Sequence, residues 1–519
     1  MRSKIHIILV IFLLILGLSC PTIVQAKGKK NPPGVPFKLI MKKIHFLTKR
    51  VNKLENLVDI LSKDNAALKA RLACISEDSG EGDLFFEGCN VHVLNGIGYT
   101  DSQNAKGNLI VGYNEENIDG YDRSGSHNLV IGAEHSYSKY GGVVAGFQNS
   151  VTGAYSSVTG GKENIASGDQ SSVSGGRLNQ ANGLRASISG GRGNIASGIS
   201  SSISGGIANQ AIGEDGSSVS GGRENTASGD QSSVLGGFRN TASGFRAAVS
   251  GGQDNDASGE TASVSGGENN TASGFAASVS AGNNNIASGQ WSSVSGGGET
   301  DPNFGNRSIG DFSSVSGGQD NEASGLASSI SAGRFNFASG IRSSISGGSS
   351  NHATAKWASV SGGTKNKASS DGASVSGGHD NEASGDTASV SGGQYNIASG
   401  RSSSVSGGGG GFDNVRQGNE ASGSFSSVSG GNSNEATGWQ SSISGGGFNM
   451  TVEFRTTVSG GRGNRAITPG ATVSGGRDNT ASGEDATVSG GRNNIASGGF
   501  STVSGGANNT ASTPDSHLP

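Results

Sequence analysis

Histidine, cysteine and serine carry much of the catalytic and metal-binding chemistry of proteins, but their spacing in this chain matches no known catalytic or metal motif. The chain has 519 residues with 8 His and 3 Cys. His127 and His135 flank Glu134, but zinc motifs do not use this separation, so we expect surface histidines. No Gly-x-Ser-x-Gly elbow occurs with a matching His/Asp pair, and Gly190–Asn194 lacks the aspartate of a calcium-binding repeat. We therefore predict no enzyme activity, no cofactor and no metal site.

Aromatic and basic side chains offer binding chemistry instead. Aromatic residues precede the valine of a repeated unit by three positions, where they would form stacking platforms or pack against the neighbouring unit: Tyr155, Trp291, Phe312, Trp357, Phe425 and Phe500. Two insertions, Gly298–Ile309 and Gly409–Gln417, interrupt the repeat, and insertions in repeat proteins map to surface loops that often bind. The candidate binding residues are Trp291, Phe304, Arg307, Trp357, Phe412, Arg416 and Trp439.

Basic residues also recur after a Gly-Gly pair, as at Arg177 and Arg192, and would form a row along one edge. Acidic neighbours such as Glu163 dilute this row. The net charge is −4 and becomes −6 if Arg2 and Lys4 are removed with a leader. A nucleic-acid groove needs net positive charge and interleaved aromatic residues, so we expect a solvated edge and no nucleic-acid partner.

The elements that must position these residues come from a fifteen-residue repeat, Ser-Ser-Val-Ser-Gly-Gly-x-x-Asn-x-Ala-Ser-Gly-x-x. Its valine or isoleucine recurs 24 times from Val143 to Val503, nearly always at the same interval. The 92 glycines do not follow the collagen period, and only 32% of residues are hydrophobic, which excludes one compact core. Repeats this short and regular indicate a solenoid, and the Ser-Val-Ser segments indicate parallel β-strands.

Each repeat position has a predicted role in the stack of coils. The valine or isoleucine alternates with serines and therefore faces the interior. Glycine three residues later suits a positive φ or a close backbone approach. Asparagine six residues after the valine is expected to tolerate a left-handed conformation and to chain its amides along the axis, and the following alanine suits a thin interior. These positions are represented by Val173, Ile188, Gly176, Gly191, Asn179, Asn194 and Ala181.

An α-helical coiled-coil stem is predicted before the repeats, over residues 37–75. Apolar residues alternate in steps of three and four from Phe37 to Ile75, which is a heptad pattern. Pro36 and the prolines before it prevent the helix from extending backward. Largely β-branched a positions, largely leucine d positions and Asn65 at an a position favour a parallel dimer.

The chain begins with a predicted secretory leader, because basic Arg2 and Lys4 precede an apolar run and a small-residue cleavage site at Ala26. An uncleaved N-terminal membrane anchor is the alternative. Export permits a disulfide between Cys74 and Cys89, which would clamp the junction between stem and repeats. The predicted segments are the leader 1–26, a Pro/Lys-rich linker 27–36, the coiled coil 37–75, an acidic linker 76–88, irregular first coils 89–142, fifteen-residue repeats 143–511 and a tail 512–519.

The repeats resemble the heads of YadA-like trimeric autotransporter adhesins. The resemblance rests on Ser172–Gly176 followed by Asn179 and Ala181, which recurs over about 70% of the chain, and on irregular units at Gly107–Gly112 and Asn128–Gly132. It implies an all-β solenoid, a parallel left-handed β-roll, whose three copies associate side by side. Unlike those adhesins, the stem precedes the head and residues 512–519 contain no barrel strands, so we expect any anchor at the N-terminus or in a partner.

These observations together predict an exported, extracellular or cell-surface fibre that binds surfaces, glycans or matrix proteins by repeated weak contacts. The alternatives are an ice- or polysaccharide-binding solenoid, in which rows of serine recognise the ligand, and a structural protein like a tail fibre. The stem favours two chains. The resemblance and the low apolar content favour three, and we expect a homotrimer.

Overall fold

The computed structural model describes residues 35–77, 82–116, 120–410 and 418–519. The predicted leader 1–26 and most of the predicted linker lie outside this range. The chain divides into two compact units, the first ending at His92 and the second beginning at Val93. Within the described ranges, no helix is both long enough and apolar enough to cross a membrane.

The first unit begins with helix α1, Val35–Arg71. Pro36 lies in its first turn, where the missing N–H has no intrahelical partner to lose. The helix starts slightly before the predicted Phe37 and ends before Ile75, because the chain turns after Arg71 and Ile75 starts a strand. Among the described residues of the first unit, α1 is the one helix.

A two-stranded antiparallel hairpin follows the helix. Strands Ile75–Glu77 and Leu84–Phe86 pair, and a disulfide joins Cys74 to Cys89 with a Cα–Cα distance of 5.9 Å. The predicted acidic linker 76–88 therefore contains parts of both strands of the hairpin. The apolar run Leu84–Phe86 has the β-propensity that the acidic residues around it obscured.

The second unit is a parallel β-solenoid of about 25 turns with coils of about fifteen residues. Every regular coil gives one strand to each of two parallel sheets. In the valine sheet Val173 lies beside Ile188, and in the alanine sheet Ala181 lies beside Ala196. A third ladder of single bridges joins the residues that follow each Gly-Gly pair.

The strands of the two sheets alternate along the chain. The valine sheet contains Leu109–Val111, Leu129–Ala133, Val143–Phe147, Ser157–Val158, Ser172–Val173, Ser187–Ile188, Ser202–Ile203, Ser218–Val219, Ser233–Val234, Ala248–Val249, Ser263–Val264, Ser278–Val279, Ser293–Val294, Ser314–Val315, Ser329–Ile330, Ser344–Ile345, Ser359–Val360, Ser374–Val375, Ser389–Val390, Ser404–Val405, Ser427–Val428, Ser442–Ile443, Thr457–Val458, Thr472–Val473, Thr487–Val488, Thr502–Val503 and His517–Leu518. The alanine sheet contains Ser136–Tyr137, Ser150–Val151, Ile165–Ala166, Gln180–Ala181, Ile195–Ala196, Gln210–Ala211, Thr226–Ala227, Thr241–Ala242, Asp256–Ala257, Thr271–Ala272, Ile286–Ala287, Arg307–Ser308, Glu322–Ala323, Phe337–Ala338, His352–Ala353, Lys367–Ala368, Glu382–Ala383, Ile397–Ala398, Glu420–Ala421, Glu435–Ala436, Met450–Thr451, Arg465–Ala466, Thr480–Ala481, Ile495–Ala496 and Thr510–Ala511.

The interior is thin and partly polar. We number each coil from its buried valine or isoleucine, position 0. The buried positions are then −2, 0, +6, +8 and +10, occupied in one coil by Ser171, Val173, Asn179, Ala181 and Gly183. Since one of these side chains is a primary amide, the coil cannot rely on apolar burial alone and must satisfy that amide inside.

The asparagine ladder at +6 satisfies its amides through the backbone. Asn179 donates from Nδ2 to the carbonyl oxygens of Gly175 and Gly191, both at 3.0 Å, and its Oδ1 accepts the backbone N–H of Asn194 at 3.0 Å. In most coils the amides therefore do not chain to one another. The left-handed residue is the one before the asparagine, Leu178 with φ 58°, and not the asparagine itself. Every hydrogen-bonding atom of the buried amide finds a partner.

Each coil turns at left-handed residues that are not all glycine. Leu178 (+5) and Arg185 (+12) both have φ 58°, and their N–H groups donate back to Lys162 and Asp169 of the preceding coil at 3.1 and 2.9 Å. These bonds offset a backbone cost of about 1–2 kcal/mol per residue. Gly176 (+3) has φ +88°, and a Cβ there would lie 2.2 Å from a carbonyl oxygen of the next coil. Only glycine fits this corner.

The first coils are irregular, and their register differs from the sequence prediction. Val144, not Val143, lies beside Val158 in the ladder and is fully buried. The steps from Val130 to Val144 and from Val144 to Val158 are both 14 residues long, which the periodic count did not detect. In the predicted region 89–142, pairing of the two sheets begins only at Leu109–Val111.

The last coil includes most of the predicted tail. His517–Leu518 pairs with Thr502–Val503, so residues 512–519 continue the valine sheet and do not form a separate segment. Leu518 replaces valine at position 0, a substitution that the repeat pattern did not anticipate.

His135 takes the ladder position of asparagine near the start of the solenoid. Its backbone N–H donates to Asn114 Oδ1 at 2.8 Å, and its ring pairs Nε2 with the Ile131 carbonyl at 2.9 Å and Nδ1 with the Asn149 N–H at 3.3 Å. Burial lowers the pKa of His135 below its ordinary value of 6.5. The expected surface histidine is thus wrong for His135, which is fully buried, whereas His127 is half-buried.

Candidate functional site

One outer row of the solenoid changes its chemistry part-way along the chain. Position +7 points outward from the alanine sheet because +6 and +8 point inward. From Ile165 to Ile286 this row reads Ile, Gln, Ile, Gln, Thr, Thr, Asp, Thr and Ile, whereas from Arg307 to Glu435 it reads Arg, Glu, Phe, His, Lys, Glu, Ile, Glu and Glu. From Met450 onward it reads Met, Arg, Thr, Ile and Thr. All these residues make the same ladder contacts, so the fold does not require the change.

Two insertions lie at the same corner of the coil beside this stretch. Each enters after the glycine at +3 and returns before the asparagine at +6. Asn306 and Asn419 keep the ladder, because their N–H groups donate to Asn285 and Asn396 Oδ1 at 3.0 and 2.9 Å. Seven coil steps separate them, which is about 34 Å at about 4.8 Å per step. Residues 411–417 of the second insertion lie outside the described residues.

Positions +5 and +7 between Arg307 and Glu435 line an open groove, which we name the alanine-sheet groove. One part has a volume of about 720 Å³ and a second part about 350 Å³, and both include His352. The side chains at +5 and +7 that line the groove are Arg307, Asp320, Glu322, Phe335, Phe337, Ser350, His352, Lys365, Lys367, Asp380, Glu382, Tyr395, Ile397, Glu420, Ser433 and Glu435.

The first insertion packs against one end of the groove. Asp301 Oδ1 accepts the N–H of Asn303 at 3.0 Å and so caps the 3-10 helix Pro302–Phe304. The carbonyl of Phe304 accepts the N–H of Asp320 at 3.1 Å, and its ring lies edge-on to Phe335 at 5.9 Å. Phe304 is therefore packed against the groove and does not extend into solvent.

Charges near this end are paired within the groove. Arg307 Nη2 lies 3.1 Å from Glu322 Oε2 and 3.8 Å from Asp320 Oδ1. Burial raises the pKa of Asp320, although Arg307 opposes that shift. A half-buried carboxyl beside an arginine is an arrangement that occurs at binding sites and in structural ion pairs alike.

The middle of the groove is basic and the far end is acidic. Lys367 Nζ pairs with Glu382 Oε1 at 3.0 Å. Burial lowers the pKa of His352, and the positive charge of Lys367 lowers it further, so His352 is neutral at pH 7. Glu420 and Glu435 lie side by side in the ladder. The groove therefore carries a negative surplus and is unsuited to a polyanion.

An acid–aromatic pair of coils occurs twice in the groove. In each occurrence one coil presents two carboxylates at +5 and +7, and the next coil presents an aromatic ring at +5 with an apolar residue at +7. We name these two pairs of coils the acid–aromatic blocks, and they lie four coils apart. The first block consists of Asp320, Glu322, Phe335 and Phe337, and the second of Asp380, Glu382, Tyr395 and Ile397. Each block also contains an aromatic ring that lies near a histidine ring. The ring centroids are 5.9 Å apart for Phe337 and His352 and 5.7 Å apart for Tyr395 and His379.

The structure separates the binding residues that the sequence suggested. Two lie at the groove, three lie at a different corner just before the valine sheet, and two lie outside the described residues. Phe304 and Arg307 lie at the groove. Trp291, Trp357 and Trp439 lie at the other corner. Phe412 and Arg416 lie outside the described residues.

The sequence left open whether these aromatic residues form exposed stacking platforms or pack against the neighbouring coil, and the tryptophans of this corner do both. Trp291 is 55% exposed and lies edge-on to Phe275 at 5.4 Å, and Trp439 stacks on Phe454 at 4.7 Å. Lys356 Nζ lies over the Trp357 ring. These rings pack against neighbouring side chains and remain half exposed, so they form scattered platforms and not one continuous surface.

Sequence reasoning missed most of the groove. Phe335, Phe337, His352 and Tyr395 were not singled out, because each looks like an ordinary variable residue of the repeat. A comparison of position +7 in successive coils would have found Phe337 and His352, because that row changes class from Arg307 onward. Phe335 and Tyr395 lie at +5 of the same coils.

No protein-family model matches the chain, and no curated protein matches it. In the described part of the chain, no group of three or more His, Cys, Asp or Glu side chains is arranged to hold a metal ion. The candidate site therefore rests on the groove geometry alone, and that geometry offers rings, carboxylates and ion pairs for binding.

Proposed function

We propose that this protein is an exported, adhesin-like fibre whose solenoid, a left-handed β-roll, binds polymeric surfaces by multivalent contact and not by catalysis. The supporting observation is the alanine-sheet groove, where charged and aromatic side chains concentrate on one outer row of an otherwise uniform scaffold. Because every coil shares the same interior, outward residues can change without disturbing the fold. The resemblance of the repeats to YadA-like adhesin heads agrees with this function.

We further propose that three copies associate, with α1 forming a coiled-coil stem. Leu47 and Leu61, on the predicted seam, are 55% and 58% exposed in the single chain. Burying such a side chain contributes about 1.5–3 kcal/mol, so an unpaired helix with a full apolar stripe is poorly stable in water. The heptad pattern over residues 37–71 makes a second copy of α1 the natural partner.

The outer face of the valine sheet supports association of the heads. Positions −1 and +1 are nearly always serine or threonine and +2 is glycine or alanine, so this serine face carries small side chains along the solenoid. A Cβ at Gly251 (+2) would meet no atom within 4 Å, and its φ is not positive. Nothing in the single chain requires a small residue there, such as glycine or the alanine of other coils, whereas the close approach of another surface does. A second copy fits, because it repeats at the same coil spacing.

Cysteine cross-linking tests the serine face. In the mature chain, Ser250→Cys at +1 should form interchain disulfides under mild oxidation, and Ser258→Cys, exposed at +9 on the alanine sheet, should not. Sedimentation equilibrium should give a three-chain mass. A single-chain mass would overturn the association, and a two-chain mass would show that the stem sets the number of chains.

Surface binding is tested by flowing the mature protein over surfaces coated with mixed cell-surface glycans or matrix proteins at increasing density. We expect dissociation to slow steeply as density rises, because more contacts engage at once. Absence of retention on every coated surface would refute the adhesive function.

The serine face also keeps a second function open, an ice- or polysaccharide-binding solenoid. Its regular hydroxyl rows favour that function only if the face is free in solution. Thermal hysteresis in a protein whose Ser250→Cys variant does not cross-link would favour it over the adhesive fibre.

A further inference from the structure

We propose that the alanine-sheet groove binds one extended segment of a linear, uncharged glycan, with sugar rings placed on both acid–aromatic blocks. This inference rests on the proposed binding function and names the ligand class of the groove. It depends on the juxtaposition of two matching blocks in one groove, with Phe304 of the first insertion packed against Phe335 at one end.

The groove dimensions favour a polymer over a small molecule. The groove is open along its top, and its parts of about 720 and 350 Å³ follow one another along the coil axis. The two blocks lie about 19 Å apart, since four coils separate them at about 4.8 Å each. Only a ligand with its own translational repeat offers equivalent groups at both blocks, and the sugar spacing of an extended glycan is close to the coil spacing.

The side chains supply the contacts that a sugar requires. The half-buried rings of Phe335 and Tyr395 offer apolar surface for the C–H side of a pyranose, although the Arg334 guanidinium lies over the Phe335 ring at 4.8 Å. Beside each ring, the carboxylates of Glu322 and Glu382 accept hydrogen bonds from hydroxyl groups. A small number of polar groups around apolar surface is typical of ligand sites.

The charge pattern indicates an uncharged ligand. The ion pairs Arg307–Glu322 and Lys367–Glu382 neutralise two of the three cations that line the groove, of which Lys365 is the third. Neighbouring Glu420 and Glu435 would repel an anionic polymer.

An extended peptide fits less well than a glycan. Peptides that bind sheets add a strand to a free edge, and their backbone groups pair with that edge. Along the groove every alanine-sheet strand is already paired on both sides, as Phe337–Ala338 is with its two neighbours. The groove therefore offers side chains and no unpaired sheet backbone.

Isothermal titration of the full mature chain with cello- and chito-oligosaccharides of two to eight units tests the proposal. We expect affinity to rise with length until an oligomer reaches both blocks, at about five units. Phe335→Ala and Tyr395→Ala should each lower the affinity for the longest oligomer about tenfold and remove the length dependence. Phe312→Ala, at an exposed ring of the other corner, is the matched control and should bind like the wild type. Circular dichroism checks that each variant folds.

Three results would overturn the proposal: no saturable binding of any linear glycan, an equal loss in the Phe312→Ala control, or binding of polylysine or casein in preference to sugars. The surface assay distinguishes this failure from failure of the proposed function. If a Phe335→Ala/Tyr395→Ala double variant keeps its surface adhesion, the groove inference is wrong and the adhesive function stands. If the wild type binds oligosaccharides in solution without adhering to any surface, the adhesive function is wrong and the groove inference stands.

Discussion

Removal of one ladder asparagine should open the solenoid locally, and Asn240→Ala is the sharpest case. Asn240 is fully buried. Its Nδ2 donates to the carbonyls of Gly236 at 2.9 Å and Gly252 at 3.0 Å, and its Oδ1 accepts the N–H of Asn255 at 3.1 Å. Alanine removes all three bonds and leaves a buried N–H without an acceptor. The two donated bonds contribute about 1 kcal/mol each, and the Asn255 N–H left without its acceptor costs about 1–2 kcal/mol more, so the loss is about 3–4 kcal/mol.

Hydrogen exchange of the full chain, followed by mass spectrometry, measures this loss coil by coil. About 3–4 kcal/mol corresponds to a decrease in protection of two to three powers of ten. The decrease should be confined to the coils around Asn240, because each coil contacts only its neighbours. Ser243→Ala, an exposed substitution in the same coil, is the control and should leave exchange unchanged.

The isosteric variant Asn240→Asp separates hydrogen bonding from loss of volume. Its carboxylate would face the carbonyl oxygens of Gly236 and Gly252, so the folded state should raise the pKa of that carboxyl. Stability is then retained below the ordinary aspartate pKa and lost as pH rises through the folded value. If Asn240→Ala exchanges no faster than Ser243→Ala, or if Asn240→Asp shows no dependence on pH, the ladder does not stabilise the coil in the way described.

Three further outcomes are expected. Gly251→Ala should leave hydrogen exchange unchanged. Gly252→Ala should lower protection from exchange at least tenfold, because Gly252 has φ +89° and a Cβ there would lie 2.2 Å from a carbonyl oxygen. Equal exchange in the two variants would contradict this steric explanation. The first coils should lose protection as pH falls below about 6.5, because burial lowers the pKa of His135 and the unfolded chain therefore binds the proton more readily. The variant His135→Asn should abolish this pH dependence. If the dependence persists in the variant, another group causes it. The Cys74–Cys89 disulfide closes a loop of about 15 residues and contributes about 3 kcal/mol to stability. Its reduction should speed hydrogen exchange in the hairpin and not in the solenoid, as measured before and after addition of reductant. Unchanged exchange in the hairpin would show that its strands do not need the bond.

The solenoid was predictable because its pattern repeats. An alternation of valine with serine over two dozen copies averages out local exceptions, so the strand at Val173 and its neighbour at Ile188 follow from period and spacing. The exceptions were not predictable in the same way. The two 14-residue coils that meet at Val144 and the hairpin strand Leu84–Phe86 are isolated departures from the pattern, and so few departures carry no statistical weight.

The groove was predictable only in part. The insertions pointed to Phe304 and Arg307, which lie at its end. Trp357 was chosen for its residue type, but its coil position places it at another corner. Position in the coil decides which side chains share a surface, and residue type alone does not.

The sequence by itself determined the repeat, the buried valine and alanine positions, the glycine corner at +3 and the place of the insertions, because each follows from the repeat period, side-chain size and the two-residue period of a strand. Tertiary structure decided how the asparagine is used. Whether Asn179 bonds another amide or the backbone depends on the distance to the next coil, and stacking brings Asn194 N–H within 3.0 Å of its Oδ1. Stacking also brings residues sixty positions apart, such as Asp320 and Asp380, into one groove. Local sequence cannot encode that proximity, because it arises only when successive coils lie one above another.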